Sequence, residues 1–264
     1  MPKKTGRVEV RCYEELNDFL PPQARKRPFP ARFSQGDTVK ALVEALGIPH
    51  TEVDLVLVNG ASVGFSHRLR DGDFISVYPM FESLDVSALT RVRPGALRRT
   101  RFVLDVHLGR LAKLLRMLGF DALYANDLDD GTLSRISAAE RRILLTRDRE
   151  LLKRSAVTHG YCVRSTQALE QLREVIERFD LAGRLRPFSR CLRCNTPLRR
   201  RSRRRAAGEV PPRVARTYRR FRACPNCGRV YWRGTHWERM RKLISTQSRA
   251  EPRAAANSRS ELSL

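Results

Sequence analysis

This 264-residue sequence lacks the features that would place it in a membrane. No apolar run approaches the 18 or so residues that span a bilayer, so we expect a soluble protein without a membrane partner. The first residues, Met1-Pro-Lys-Lys4, also lack the apolar stretch of a signal peptide. We therefore expect a cytoplasmic location, where thiols stay reduced.

Several catalytic motifs are missing as well. The sequence contains no Gly-x-Gly-x-x-Gly or Walker phosphate loop and no nucleophile elbow, and its five histidines do not have the spacing of a metalloprotease. These absences disfavour nucleotide-binding enzymes, serine hydrolases and zinc proteases. Chemistry by carboxylates remains the main catalytic option.

Acidic residues are scarce in one segment. Residues 184–222 contain 15 Lys and Arg against a single acid, whereas residues 1–85 carry a net charge of −1. The centre of the basic segment is a run of six arginines: Arg199, Arg200, Arg201, Arg203, Arg204 and Arg205. Such a density of guanidinium groups attracts a phosphate backbone, so nucleic acid is the favoured partner. The composition also predicts local disorder in the absence of a polyanion.

Cysteine is infrequent, but four of the six cysteines form two CxxC pairs. Cys191 and Cys194 are followed after 29 residues by Cys224 and Cys227. This spacing predicts a tetrahedral zinc site closed by four thiolates, which would organise the local fold and not catalyse. The alternative, two disulfides, would require an oxidising compartment.

Residues 1–85 are predicted to form a separate small domain. Alternating and apolar segments indicate the order strand, strand, helix, strand, strand, with Asp37 capping the helix and Gly47 ending it. This order resembles the β-grasp, or ubiquitin-like, proteins. The segment has no Gly-Gly end, which argues against sulfur transfer. We expect a docking or positioning domain that binds a protein partner, the alternative being a simple folding unit.

The rest of the chain is predicted to contain an α/β domain and a ribbon. Residues 86–100 indicate a linker, residues 101–186 alternate strands and helices, residues 187–244 form the zinc ribbon with its arginine-rich insertion, and residues 245–264 form a disordered tail. Repeated β-α units predict a parallel sheet covered by helices on both faces. Within them, Ser165 is the expected cap of the last helix, and Arg116 lies off the apolar stripe of the first.

Acids follow the predicted strands at the end where ligands bind in parallel sheets. Asp105 follows the first strand, Asp148 and Glu150 follow the third, and Asp127, Asp129 and Asp130 lie in the loop after the second. Clustered carboxylates favour Mg²⁺ or Mn²⁺, which would support hydrolysis of a phosphodiester. The alternative is that Asp148 and Asp130 only cap helices.

The sequence resembles the Mut-seven C-terminal RNase family, a branch of the PIN-like nucleases. The resemblance rests on FVLDVHLGRLAKLLRMLGFD at 102–121, ILLTRDREL at 143–151 and CPNCGRVYWRGTHWERM at 224–240. It implies a PIN-like fold with the catalytic acids Asp105, Asp148 and Asp130. Asp127 is a second candidate for the middle acid, and Glu150 is an auxiliary one.

Together these features predict a metal-dependent ribonuclease whose zinc ribbon assists RNA binding. Arg110, Arg147 and Trp237 are further candidates for RNA contacts, through phosphates or stacked bases. The opposed hypothesis is a non-catalytic RNA-binding or ribosome-associated adaptor in which the acids are structural. The sequence leaves the RNA substrate and the oligomeric state open.

Overall fold

A computed structural model describes residues 5–79, 90–92 and 100–234. The chain divides into two compact units, Met1–Asn195 and Thr196–Leu264. The predicted tail and most of the predicted linker lie outside the described residues. Within the described ranges, no helix combines the length and the apolar composition needed to cross a bilayer.

The first domain has the topology of a β-grasp. Its sheet has the order β2-β1-β5-β3-β4, in which β1 and β5 run parallel and the other neighbours run antiparallel. The elements are β1 (Thr5–Cys12), β2 (Phe29–Ser34), α1 (Val39–Ala45), β3 (Val53–Val58), β4 (Ala61–Ser62) and β5 (Phe74–Pro79). The predicted β-grasp is confirmed, and the two-residue strand β4 is an addition to the predicted order.

Local sequence explains most of this domain. Alternate residues of β1 are buried, as a strand with one covered face requires. Helix α1 begins differently from the prediction, because Thr38 caps it by accepting the Ala41 N–H at 3.3 Å. The carboxylate of Asp37 instead accepts the Ser34 N–H at 2.8 Å, so it closes the preceding turn. Gly47, at φ +84°, follows the helix as predicted.

The second domain is a four-stranded parallel sheet with the order β7-β6-β8-β9. Its elements are β6 (Arg101–Leu104), α2 (Gly109–Leu118), β7 (Asp121–Leu123), α3 (Asp130–Glu140), β8 (Ile143–Thr146), α4 (Arg149–Lys153), β9 (Gly160–Cys162) and α5 (Ala168–Arg178). On one face Val103 belongs to an apolar cluster with Leu133 of α3. On the other face Phe102 contacts the rings of Phe120 and Phe179. The predicted helices on both faces are confirmed.

Two helix ends in this domain depend on single residues. Gly119 ends α2 at φ +97°, and a Cβ there would collide with the Arg186 carbonyl oxygen. Helix α5 begins at Ala168, two residues later than predicted, and its N-cap is Gln167. The predicted cap, Ser165, instead accepts the Gln167 N–H with its hydroxyl at 3.1 Å in the preceding turn.

The β-grasp domain packs against the open edge of β9. Glu52, which is fully buried, accepts the backbone N–H of Cys162 with its carboxylate. The same carboxylate lies 3.9 Å from Arg164 and 4.0 Å from Arg178. Arg178 also pairs with Glu15 at 2.9 Å. A single apolar cluster contains residues of both domains, so the two share a continuous core.

The second compact unit contains a small antiparallel sheet with the order β10-β11-β12. Its elements are β10 (Arg199–Arg201), α6 (Arg203–Ala207), α7 (Pro212–Thr217), β11 (Phe221–Ala223) and β12 (Val230–Trp232). The arginine run therefore forms a strand and a helix, where the sequence predicted disorder. Its guanidinium groups explain part of this order, since Arg203 donates to the carbonyls of Ala215 and Arg216, each at 3.2 Å.

Candidate functional site

Two of the predicted catalytic acids lie at neighbouring strand ends. Leu104 of β6 pairs in register with Leu145 of β8, so the chain delivers Asp105 and Thr146 side by side. The carboxylate of Asp105, only 6% exposed, accepts a hydrogen bond from the Thr146 hydroxyl at 2.7 Å. The same hydroxyl accepts the backbone N–H of Asp148 at 2.9 Å. One side chain therefore fixes both acids to the carboxyl edge of the sheet.

Asp148 also begins a helix. Its carboxylate accepts the Glu150 N–H at 2.8 Å and so caps α4. Glu150, the predicted auxiliary acid, is 78% exposed at its side chain and pairs with Lys153 at 2.7 Å. Arg149 places its guanidinium 4.9 Å from the centre of the Phe19 ring, so the β-grasp domain reaches this edge too.

The acids in and beside the loop between β7 and α3 have different roles. Asp129 caps α3 by accepting the backbone N–H and the hydroxyl of Thr132, at 2.9 and 2.7 Å, and these hydrogen bonds lower the pKa of Asp129. Asp130, the predicted ligand, is half exposed and lies 3.5 Å from Arg154. Asp127, the second candidate, is exposed. The capping role that the alternative reading gave to Asp130 belongs to Asp129.

These acids fit a divalent cation only in part. Oxygen donors suit Mg²⁺ and Mn²⁺, and Asp105 and Asp148 supply them at adjacent strand ends. In the described part of the chain, however, the only group of three or more His, Cys, Asp or Glu residues placed to hold one metal ion is the set of four cysteines. The structure therefore joins Asp105 to Asp148 through Thr146 but does not gather a third acid into the same cluster.

The cysteine cluster, by contrast, fits a zinc ion. The Sγ atoms of Cys191, Cys194, Cys224 and Cys227 all lie within 4.8 Å of one another. A tetrahedral site with Zn–S bonds of about 2.3 Å requires sulfur atoms about 3.8 Å apart, so modest contraction would complete it. None of the six cysteines, all of which lie in the described ranges, forms a disulfide.

Both CxxC turns end in a residue with positive φ. Gly228 follows the second pair at φ +71°, and Asn195 follows the first pair at φ +63°. Glycine adopts this conformation without steric cost, and asparagine tolerates it better than most residues. Asn195 also donates to Asp121 at 2.7 Å with its side-chain amide and accepts the Ala122 N–H at 3.2 Å with its side-chain oxygen. The first cysteine turn is thereby attached to β7.

Arg116 is a second attachment that the sequence analysis missed. It lies off the apolar stripe of α2, as predicted, yet it is only 3% exposed. Its guanidinium donates to the carbonyls of Leu192 and Arg193 at 3.0 and 2.8 Å, and to that of Ala122 at 2.8 Å. Burial lowers the pKa of Arg116, and negative charge on Cys191 and Cys194 opposes that change. No local pattern marks such a residue, because its partners come from distant parts of the chain.

The predicted RNA contacts differ in their surroundings. Arg110 and Arg147 are exposed, and Arg147 lies between Thr146 and Asp148 at the acidic edge. In the arginine run, Arg201 pairs with Glu209, whereas Arg200, Arg204 and Arg205 are exposed. Trp237 lies outside the described residues. Contact of these side chains with RNA stays a prediction.

Two protein-family models match the chain. Residues 100–244 match the family model described as the Mut7-C RNAse domain, and residues 5–85 match the one described as Mut7-C ubiquitin. No curated protein matches the chain.

Two crystal structures from a structural comparison both have low TM-scores. The small archaeal modifier protein 1 of H. volcanii is 18% identical, with a TM-score of 0.24, over 29% of this chain and 99% of its own. A second structure, SAMP1 from Haloferax volcanii, is 21% identical, with a TM-score of 0.23, over 30% of this chain and all of its own.

The fold defines the class of the protein first. It joins a β-grasp domain to a four-stranded parallel α/β domain, followed by a C-terminal four-cysteine cluster. The matched RNase-domain model covers more than half of the chain. This protein therefore belongs to the Mut7-C RNAse family and carries that family's ubiquitin domain at its N-terminus.

Proposed function

We propose that this protein is a metal-dependent ribonuclease that hydrolyses RNA phosphodiester bonds at the carboxyl edge of its parallel sheet. The observation that carries the proposal is the junction of Asp105 and Asp148 through the Thr146 hydroxyl. Membership in an RNase-domain family supports it. The cysteine cluster would hold a structural zinc, and the ribbon would assist RNA binding.

Each acid has a distinct part in this proposal. Asp105 is buried and held by one hydrogen bond to Oδ2, and within the described residues no donor contacts its Oδ1. Asp148 caps α4 with Oδ1, which leaves its other oxygen for a ligand. These two acids would hold Mg²⁺ or Mn²⁺, with Asp130 as the proposed third ligand. Such an ion, when bound, supplies an acidified water and stabilises charge on a phosphate.

Cleavage of labelled single-stranded RNA tests the proposal. We expect cleavage with Mg²⁺ or Mn²⁺ and none with EDTA. Asp105→Asn and Asp148→Asn should each lower the rate by about 100-fold or more, as expected for groups that act directly in the reaction. Asp180→Asn is the matched control, because Asp180 is exposed and its φ of +44° suits asparagine. A cleavage rate that is the same with metal or EDTA, and the same in both variants as in the wild type, would refute the proposed metal-dependent ribonuclease.

One observation favours a second function, RNA binding without cleavage. Asp148 serves as a helix cap and Asp130 faces Arg154, so both acids have structural roles. In that case the protein would be an adaptor, and its β-grasp domain would bind a protein partner in the cytoplasm. The same experiment separates the two functions, since an adaptor would bind the labelled RNA in every variant and leave it intact.

A further inference from the structure

The arginines of the basic segment lie on different faces of the small sheet. Arg200 of β10 pairs with Arg222 of β11, and Arg222 pairs with Tyr231 of β12. Directly paired residues of antiparallel strands project from the same face. Arg200, Arg222 and Tyr231 therefore form one row across all three strands, which we call the ribbon row.

The ribbon row lies on the accessible face of the sheet. Phe221 and Ala223 flank Arg222 in β11, point to the opposite face, and are only 3% and 9% exposed. Arg200 is exposed, and Arg222 and Tyr231 are half-buried. The sheet thus packs its apolar face inward and presents two guanidinium groups and a phenol ring outward.

The pairing of Arg200 with Arg222 is unfavourable by itself. Like charges directly opposite each other on neighbouring strands destabilise a sheet. Within the described residues neither guanidinium forms an ion pair, in contrast to Arg201, which pairs with Glu209. An anion bound between the two arginines would remove the repulsion, and a guanidinium fork suits phosphate oxygens.

Tyr231, the third residue of the ribbon row, indicates which kind of polyanion the row binds. Proteins that bind single strands combine a basic surface with aromatic rings on which unpaired bases stack. A duplex would offer phosphates but no unstacked base. We propose that the ribbon row binds single-stranded RNA, with Arg200 and Arg222 on phosphates and Tyr231 against a base. This inference rests on the proposed function, since it takes RNA as the substrate.

Binding of a fluorescent single-stranded RNA to the full-length protein tests the row. The measurements use the Asp105→Asn background, with the RNA verified intact on a gel and the zinc content checked to confirm a folded ribbon. Arg200→Gln/Arg222→Gln should reduce the slope of log affinity against log salt by about 1.4, or about 0.7 for each lost phosphate contact. Arg219→Gln/Arg220→Gln removes the same charge at two exposed residues outside the row and should reduce the slope less.

The phenol ring is tested separately. Tyr231→Leu should weaken binding by about 5- to 150-fold, the range for loss of one stacked base, without changing the salt slope. Tyr231→Phe keeps the ring and should bind like the parent. The row is refuted if the two double variants behave alike, if Tyr231→Leu binds as Tyr231→Phe does, or if duplex RNA binds as tightly as the single strand.

These outcomes are separate from those for the ribonuclease. Row-dependent binding without metal-dependent cleavage by the wild type would support the ribbon row and refute the proposed enzyme. Cleavage that requires Asp105 and Asp148 would support the enzyme. If the ribbon-row variants then bind RNA as the parent does, the proposed role of the ribbon row is refuted.

Discussion

The hydroxyl of Thr146 donates a 2.7 Å hydrogen bond to the carboxylate of Asp105, across the parallel pair of strands β8 and β6. Because the same hydroxyl accepts the Asp148 N–H, Thr146 is the side chain that fixes both strand ends. It is fully buried, so bulk solvent does not compete for its hydrogen bonds.

Replacing Thr146 should therefore affect stability and cleavage together. Thr146→Val keeps the shape but leaves two polar partners unsatisfied, which costs about 1–3 kcal/mol of unfolding free energy. It should also lower the rate of RNA cleavage, whereas Thr146→Ser keeps the hydroxyl and should retain most of both. Urea unfolding and the cleavage assay provide the measurements. Equal behaviour of the valine and serine variants would contradict this role of the hydroxyl.

Glu52 should anchor the β-grasp domain to the edge of β9. Glu52→Ala leaves the Cys162 N–H without this acceptor and Arg164 and Arg178 without this carboxylate, a loss of about 3–5 kcal/mol. Glu52→Gln keeps a carbonyl acceptor and should cost less. Thermal unfolding and hydrogen exchange at the Cys162 amide measure both effects. The exposed Glu9 provides a control, and a loss on Glu9→Ala as large as on Glu52→Ala would contradict the anchor.

The elements that the sequence predicted well are encoded locally. The alternation of β1, the glycine after α1 and the two CxxC turns each depend on residues within a few positions of one another. Caps were less predictable, because Asp37 and Thr38 are both suitable types and only the path of the chain decides which side chain reaches the first turn.

Contacts between distant segments could not be predicted. Glu52 and Arg116 are charged residues that a single sequence assigns to the surface, yet both are buried by partners more than 70 residues away. Asp105 and Asp148 lie at adjacent strand ends because a parallel sheet gathers its strand ends, but that rule gives no distances. The position of Asp130 beside Arg154 therefore emerged only from the fold.

The Asp121 carboxylate should give the protein acid-sensitive stability. Burial opposes its ionisation, but hydrogen bonds from Arg142 and Asn195, each at 2.7 Å, outweigh burial and hold the pKa of Asp121 below its ordinary value. A lowered pKa means that the stabilisation is complete above the unfolded value of about 3.9 and is lost as the pH falls through the folded value.

Asp121→Asn should therefore cost about 1.5–3 kcal/mol of unfolding free energy at neutral pH, the scale of charge-assisted hydrogen bonds. The difference from wild type should shrink as the pH falls below about 4. Urea unfolding at several pH values measures it, with the exposed Asp180→Asn as the control. A difference that stays constant down to about pH 3 would mean that the carboxylate charge is not what stabilises this site.

Arg116 should hold zinc in the cysteine cluster through the backbone of the first CxxC turn. Its guanidinium spans the carbonyls of Leu192 and Arg193 on one side and that of Ala122 on the other, and a lysine ammonium cannot reach both sides. Four thiolates around a divalent ion also leave a net negative charge, which a buried cation stabilises.

Arg116→Gln and Arg116→Lys should each lower zinc affinity by about 10- to 100-fold, the usual effect of losing a residue that orients metal ligands. Competition with a chromogenic chelator measures the affinity, with Cys194→Ser as the variant that releases zinc outright. Lys113→Gln is the control, since Lys113 is exposed on the same helix. If the Arg116 variants hold zinc as tightly as Lys113→Gln, the attachment of Arg116 to the first cysteine turn has no part in metal binding.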